Sequence, residues 1–188
     1  NQPAKGDCLN VRPDLTTPSL VEVPSNPVPN GAEVAFFEAS DGVKLRYATF
    51  PKGEGAPRGT ICLVHGRTEF IEKYFETIGD FQARGFAVAT FDWRGQGGSQ
   101  RLIGNPRLGY VDTFDDYWTD LKSFHGSVLL PDCPPPYYVL AHSTGATIAL
   151  LSAERLRTQI DRMVLTAPLL ALAHGSPRWL RPVAATQA

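Results

Sequence analysis

Short apolar segments alternate with helix-like segments over most of the chain after residue 60, and this alternation limits the available folds. Each apolar segment is five or six residues long and lacks the polar–apolar alternation of a half-exposed strand. Strands buried on both faces have this pattern, and they occur in parallel sheets covered by helices. We therefore predict an α/β fold with a mostly parallel sheet and helices on both faces. The predicted strands are residues 60–64, 86–91, 137–141 and 162–166, and the predicted helices are residues 70–84, 113–130 and 144–157.

Two further strands precede this region and form a predicted β-hairpin. Residues 33–40 and 43–50 have strand character, and Asp41-Gly42 between them is a hairpin turn signal. This hairpin would add antiparallel strands to one edge of the sheet. Residues 1–31 are rich in proline and show no periodicity, which predicts an extended or disordered lead-in. We expect the folded unit to cover residues 32–168.

Composition argues against several classes of function. The 188 residues carry a net charge of −1 and no basic block, so neither nucleic acid nor an anionic surface is indicated as a partner. No apolar run approaches the length of a membrane span. Cys8, Cys62 and Cys133 are odd in number and far apart, which argues against a disulfide framework or a zinc site. A reducing, cytoplasmic location fits this cysteine usage, and we expect no metal and no cofactor.

The most informative loop follows the predicted strand at residues 137–141. There the sequence AHSTG places Ser143 between a strand and a helix, with Ala141 and Gly145 two residues away on either side. This is the nucleophile-elbow pattern G-x-S-x-G with alanine in place of the first glycine. The helix N-terminus directs backbone N–H groups at developing negative charge. We predict that Ser143 is a nucleophile and that the Thr144 N–H is an oxyanion donor. The alternative is a simple N-cap serine.

A second loop at the same edge of the sheet contains His65, Gly66 and Arg67. Loops at the carboxyl ends of parallel strands lie together and bind ligands. The second oxyanion donor of a nucleophile elbow comes from such a loop, and we predict that it is the backbone N–H of Arg67. His65 is a candidate base by residue type, but we expect it to order the loop. We also expect His142 to point away from the serine.

The third loop, at residues 92–99, is rich in glycine. We predict that Asp92 and Arg94 hold this turn together and do not react. The sequence Gly95-Gln96-Gly97-Gly98 suggests a nucleotide-binding loop, but the third glycine of the dinucleotide fingerprint would fall at Gln100. A nucleotide cofactor is therefore not indicated.

Three segments, LVHGRTEFIEKY, FDWRGQGGSQ and VLAHSTGATIAL, occur in the order and at the spacing of a known family. Together they resemble the lysophospholipase and monoacylglycerol-lipase branch of the α/β-hydrolase superfamily, over about residues 33–172. The resemblance implies an α/β-hydrolase fold, Ser143 as the acylated nucleophile, and the N–H groups of Arg67 and Thr144 as the oxyanion hole. It also implies a set of residues that order the oxyanion loop: His65, Gly66 and Glu69.

The resemblance also predicts partners for Ser143 further along the chain. In the superfamily an acidic residue and then a histidine follow the nucleophile. The candidates here are Glu154 in a helix, Asp161 at the amino end of a strand, and His174 just past the sixth strand, and none is at the family position. We therefore expect the N-terminal part of a hydrolase, lacking the last two strands and most of the cap, and inactive alone. Residues 169–188 would begin the cap, and the sixth strand would be an exposed apolar edge.

The function implied by the resemblance is hydrolysis of a carboxylic ester, a lysophospholipid or monoacylglycerol, through an acyl-serine intermediate. Two alternatives stay open. One is a general carboxylesterase or an aminopeptidase of the same superfamily, and the other is a non-catalytic α/β-hydrolase-like binding module or remnant. The implied partner is a small-molecule or lipid ester, and the implied location is cytoplasmic, with peripheral membrane contact through the cap.

Overall fold

The computed structural model describes residues 15–171 and contains a six-stranded mixed sheet with helices on both faces. The strands are β1 (Glu33–Glu38), β2 (Lys44–Phe50), β3 (Thr60–Val64), β4 (Ala87–Phe91), β5 (Tyr137–His142) and β6 (Arg162–Thr166). The helices are α1 (Phe75–Ala83), α2 (Asp115–Phe124), α3 (Leu130–Asp132), α4 (Thr144–Leu151) and α5 (Ala153–Leu156).

The strand order is β1-β2-β4-β3-β5-β6. The β1–β2 hairpin is antiparallel, and β2 also pairs antiparallel with β4. The remaining neighbours, β4 with β3, β3 with β5 and β5 with β6, are parallel. The predicted α/β fold, with a mostly parallel sheet and an antiparallel hairpin at one edge, is confirmed. This order brings the carboxyl ends of β3, β4 and β5 together, and each is followed by one of the three loops discussed above.

Apolar side chains cover both faces of the sheet. Along β3, Ile61 and Leu63 belong to a cluster on the α1 side, whereas Cys62 and Val64 belong to a cluster beneath α2 and α4. All five residues of β3 are buried. Because both faces of this strand are covered, its sequence is apolar without alternation, as parallel sheets require.

Two predicted helices are irregular. Residues 70–84 begin with a 3-10 turn at Ile71–Tyr74 before α1 starts. Residues 113–130 contain α2 followed by a π-turn at His125–Leu129, in which the Leu130 N–H donates to the His125 carbonyl. Pro131 follows directly and has no N–H for the regular helical ladder, so the wider turn precedes the residue that interrupts the α pattern.

The third predicted helix, over residues 144–157, is divided at Ser152 into α4 and α5. Helix α4 has buried residues on nearly every side, including Gly145, Ala146 and Ile148. A helix that is apolar all round is a core helix. Its position behind Ser143 therefore fixes the nucleophile turn to the interior of the protein.

The segment at residues 15–31 has no helix or strand, and hydrogen bonds connect it to β2 and to the 3-10 turn before α1. The Arg46 guanidinium donates to the Ser19 carbonyl at 2.7 Å, and the Asn26 side chain donates to the Glu72 carbonyl at 2.8 Å. This part of the expected lead-in is therefore attached to the fold. Residues 1–14 lie outside the described residues.

The β6 edge has exposed apolar side chains, as the sequence predicted. Val164 on β6 is 58% exposed, and Leu170 beyond it is 68% exposed. Leu150 and Leu151 on α4 are also exposed. None of the helices within residues 15–171 has the length and apolar character needed to span a bilayer.

Candidate active site

Ser143 occupies a tight turn between β5 and α4. Its backbone angles are φ 53° and ψ −121°, a conformation that is costly for any residue except glycine. Hydrogen bonds hold the turn: the Ser143 N–H donates to the Thr166 carbonyl at 2.9 Å, and the Thr147 N–H donates to the Ser143 carbonyl at 3.1 Å. The Ser143 side chain makes no capping hydrogen bond. The N-cap alternative is therefore not supported, and the geometry matches a nucleophile elbow.

Small residues let this turn approach the loop after β3. A Cβ atom on Gly145 would lie 2.4 Å from the His65 carbonyl oxygen, and a Cβ atom on Gly66 would lie 2.8 Å from the Ser143 Cβ. Ala141, which replaces the first glycine of the elbow pattern, is fully buried in β5. Ser143 thus faces the predicted oxyanion loop directly.

Hydrogen bonds fix the first two peptide groups of that loop. The His65 carbonyl accepts from Trp93 Nε1 at 2.8 Å, and the N–H of the same peptide group, that of Gly66, donates to Glu69 Oε2 at 2.6 Å. The Gly66 carbonyl accepts from His65 Nδ1 at 2.9 Å. Because this carbonyl shares a peptide plane with the Arg67 N–H, the bond from His65 also sets the direction of that N–H.

The next peptide group is held at both ends. The Arg67 carbonyl accepts from the Thr68 hydroxyl at 2.6 Å, and the Thr68 N–H donates to Gln96 Oε1. Within residues 15–171, the N–H groups of Arg67 and Thr144 have no hydrogen-bond partner. The loop and the helix start therefore leave two donors beside Ser143, as an oxyanion hole requires.

Glu69 connects the oxyanion loop to the start of the following helix. It accepts from the Gly66 N–H, from the Tyr74 hydroxyl at 2.7 Å, and from Lys73 Nζ. Burial would raise the pKa of Glu69, but these hydrogen bonds, from Lys73 first, outweigh burial and lower the pKa to about 2. The carboxylate is therefore ionised at neutral pH and joins the loop after β3 to Tyr74.

His142 points away from Ser143, as expected. Its Nδ1 lies 3.0 Å from the Thr166 hydroxyl on β6, and its Nε2 lies 3.8 Å from Glu69 Oε1. The ring lines a cavity of about 280 Å³ beside α1. His142 therefore has no geometry for accepting the Ser143 proton.

Asp92 organises the glycine-rich loop, as predicted. Its Oδ2 accepts from the Gly98 N–H and from Arg46 Nε, each at 2.8 Å, and its Oδ1 lies 3.3 Å from His65 Nε2. Complete burial would raise the pKa of Asp92, but the contacts with His65 and Arg46 outweigh it and hold the pKa below its usual value. The carboxylate connects the loops after β3 and β4.

The prediction for Arg94 was wrong. Its guanidinium does not contact the glycine turn but binds Asp120 of α2 at 2.6 Å and Asp41 of the hairpin turn at 2.8 Å. Arg101 takes the predicted place and donates to the Gly97 carbonyl at 2.8 Å. Arg94 is buried, and a buried guanidinium needs carboxylate partners, which only elements distant in sequence supply.

The acidic candidates that follow Ser143 in the sequence make their contacts away from Ser143. Glu154 pairs with Arg157 at 3.0 Å on the surface, and Asp161 accepts from the Tyr137 N–H at the amino end of β5. His174 lies outside the described residues. No side chain within residues 15–171 hydrogen-bonds to the Ser143 hydroxyl.

Sequence reasoning missed three residues that shape the site. Trp93 and Gln96 bind the oxyanion loop from the glycine-rich loop, and Tyr74 binds Glu69. A signal existed for Gln96, since it lies between two glycines at the carboxyl end of a central strand.

No metal-ligating cluster of three His, Cys, Asp or Glu side chains occurs in the described part of the chain. Cys62 and Cys133 are free and buried, and burial raises the pKa of Cys62 to about 12 and that of Cys133 to about 11. Such thiols are poor nucleophiles at neutral pH. Ser143 is therefore the side chain in this region with the geometry of a nucleophile.

Comparisons with known proteins identify the family of this chain. A family model described as serine aminopeptidase, S33, matches residues 55–188. Lysophospholipase L2 of Escherichia coli K12 is 35% identical over 146 residues, covering 78% of this chain and 42% of that protein. Monoglyceride lipase of Rattus norvegicus is 28% identical over 149 residues, covering 78% of this chain and 46% of that protein.

A solved structure shares the fold. A soluble variant of monoglyceride lipase from Saccharomyces cerevisiae, in complex with a substrate analogue, aligns with a TM-score of 0.61 at 25% identity. The alignment covers 82% of this chain and 49% of that one. Each alignment therefore covers less than half of the relative's own length, and the chain spans about half the length of these relatives.

Proposed function

This chain belongs to the serine aminopeptidase S33 family of α/β-hydrolases, and from that premise we propose that the protein hydrolyses carboxylic esters of monoacyl lipids. The substrate would be a lysophospholipid or a monoacylglycerol, and the intermediate an acyl group on Ser143. One observation carries the proposal: the strained Ser143 turn faces the unpaired N–H of Arg67, in a loop whose neighbouring peptide groups are all bonded.

In the proposed mechanism, Ser143 Oγ attacks the ester carbonyl. The carbonyl oxygen becomes an oxyanion and accepts hydrogen bonds from the N–H groups of Arg67 and Thr144. Collapse of this intermediate releases the alcohol and leaves acyl-Ser143, which water then hydrolyses to the fatty acid. The helix N-terminus of α4 adds favourable electrostatics for the negative charge.

The proton of the Ser143 hydroxyl needs a base, and we place that base outside residues 15–171. His65 is buried between the Gly66 carbonyl and Asp92, His125 lies in the π-turn, and His142 faces Thr166. In the superfamily the histidine follows the nucleophile along the chain. The catalytic histidine and its acidic partner are thus expected beyond residue 171 of the natural protein.

Apolar surface beside the serine supports an acyl chain as the bound group. The Leu169 N–H donates to the Ser143 carbonyl at 3.3 Å, and the Thr147 hydroxyl donates to the Leu169 carbonyl at 2.9 Å, so this segment crosses the start of α4. Leu169 and Leu170 are both exposed there. The relatives named lysophospholipase and monoglyceride lipase point to the same substrate class. A monoacyl lipid is met at a lipid–water interface, so peripheral membrane contact is part of this proposal.

The test is hydrolysis by the full-length protein of monoacylglycerols, lysophospholipids and small esters, with Ser143→Ala as the inactive control. A preference for long acyl chains supports the proposal. Activity limited to short esters would indicate a carboxylesterase, and activity on amino-acid amides an aminopeptidase. No hydrolysis, together with no labelling of Ser143 by a fluorophosphonate, would indicate a binding module instead.

A further inference from the structure

We propose that Gln96 is a positioning residue for the oxyanion hole, an inference that rests on the proposed function. Its side-chain oxygen accepts the Thr68 N–H and thereby fixes the peptide group that follows the donor residue Arg67. Gln96 does not contact the substrate in this scheme. It acts through the backbone of the loop after β3.

The turn that carries Gln96 is itself rigid. Gly95 and Gly97 on either side have φ angles of 76° and 47°, which glycine adopts without strain. The Gln96 N–H donates to the Trp93 carbonyl at 3.0 Å, and the Gln96 carbonyl accepts from the Ser99 N–H at 3.0 Å. The Gln96 side chain is also buried, with 6% of the residue exposed. A side chain held in this way can serve as a fixed acceptor.

The peptide group that Gln96 binds needs such support. Thr68 has φ 62°, and a left-handed conformation is rare for a β-branched residue. Strained conformations of this kind persist only when surrounding contacts over-determine them. The contact from Gln96 and the hydroxyl bond from Thr68 to the Arg67 carbonyl are the two contacts that hold this peptide group.

The loop therefore has an anchor on each side of the free donor. Glu69 holds the Gly66 N–H on the upstream side, and Gln96 holds the Thr68 N–H on the downstream side. If the downstream anchor is lost, Thr68 can leave its left-handed conformation and the backbone of Arg67 can rotate. An oxyanion donor works only when it is already aimed at the developing charge, so this motion would slow the chemical step.

The experiment compares Gln96→Met with Gln100→Met in the full-length protein. Gln100 is a matched control, because its Oε1 also accepts a backbone N–H, that of Lys44, at 3.0 Å, but away from the oxyanion loop. For Gln96→Met we expect kcat to fall about 10- to 100-fold with KM within about twofold. Gln100→Met should change kcat by less than about twofold. Equal losses in both variants, no loss in Gln96→Met, or a loss confined to KM would overturn the proposal.

Two further measurements keep the proposal testable if Gln96→Met does not fold. Gln96→Asn keeps an amide but shortens the side chain by one methylene, and it should show the same selective loss of kcat. Hydrogen exchange of the wild-type protein should find the Thr68 amide protected and the Arg67 amide unprotected. An unprotected Thr68 amide would overturn the contact itself, even in a protein that hydrolyses no ester. A protein with a protected Thr68 but no hydrolase activity would instead refute the proposed function.

Discussion

The loops around Ser143 and the edge strand β6 are organised in opposite ways. Around Ser143, the buried carboxylates of Glu69 and Asp92 accept hydrogen bonds from the Gly66 and Ile71 N–H groups. Along β6, apolar groups such as Val164 are exposed, and within residues 15–171 the strand pairs with β5. Within residues 15–171, hydrogen bonds between buried groups therefore order the loops around Ser143, whereas backbone pairing with β5 holds β6.

This polar organisation has a cost in stability. Removing charged groups from water destabilises the folded state, and pairing only offsets this penalty. Here Arg46 pairs with both Glu72 and Asp92. The strained backbones of Ser143 and Thr68 add to the cost. We therefore expect substitutions near Ser143 to separate activity from stability.

The largest expected effect is on activity. Ser143→Gly and Ser143→Ala should both lower kcat by at least about 10⁴-fold, because the nucleophile is lost. Only Ser143→Gly should raise the free energy of unfolding, by about 1 kcal/mol, since glycine accepts the left-handed conformation that alanine does not. Urea denaturation of both variants measures this difference. If neither variant has a higher free energy of unfolding than wild type, the turn is not strained.

The second prediction concerns the close packing behind the nucleophile. Gly145→Ala should lower the free energy of unfolding by about 3 kcal/mol, because its Cβ would meet the His65 carbonyl at 2.4 Å. Gly79→Ala in α1 is the control, since no atom outside the local helix backbone lies within 4 Å of its Cβ position. There alanine should stabilise the protein by about 0.5–1 kcal/mol. Thermal and urea unfolding should show a lower free energy of unfolding for Gly145→Ala and a higher one for Gly79→Ala. Equal changes in the two variants would contradict the packing described here.

The third prediction concerns the pH dependence of stability through Glu69. Its pKa is about 2 in the folded protein and 4.5 as an unperturbed group. The unfolded chain therefore binds the proton first as pH falls, and stability present above about pH 4.5 is lost towards pH 2. Glu69→Gln should remove a contribution on the order of 2 kcal/mol at neutral pH, and the difference from wild type should vanish near pH 2.

The matched control for that experiment is Glu76→Gln, on the exposed side of α1. Urea denaturation from pH 2 to pH 7 should show little difference between this variant and wild type. If Glu69→Gln and wild type differ by the same amount at every pH, the carboxylate is not the source of the stabilisation.

The last prediction compares substitutions of two valines on the same face of the sheet. Val88 on β4 is 1% exposed, whereas Val164 on β6 is 58% exposed. Val88→Ala should cost about 2 kcal/mol and Val164→Ala less than about 0.5 kcal/mol. If Val164→Ala costs as much as Val88→Ala in the full-length protein, a part of that protein outside residues 15–171 covers β6.

The sequence predicted the elements whose signals are local. Continuous apolar runs identified the strands, and the AHSTG segment identified the Ser143 turn, because both depend on neighbouring residues. Side-chain contacts between loops that are far apart in the sequence could not be predicted in this way. Arg94 binds α2 and not its own loop, and the Gln96 contact with Thr68 joins loops after two different strands. Such contacts depend on where the sheet places each loop, and the spacing of apolar residues in the sequence does not predict that placement.

The strand order also determines when the site can assemble during synthesis. β4 lies between β2 and β3, so these two earlier strands have no common neighbour until β4 has been made. The Ser143 turn then needs the carbonyl of Thr166, so it cannot be complete until β6 has been made. The Ser143 turn is therefore completed only after the strands that support the loop after β3 have been made.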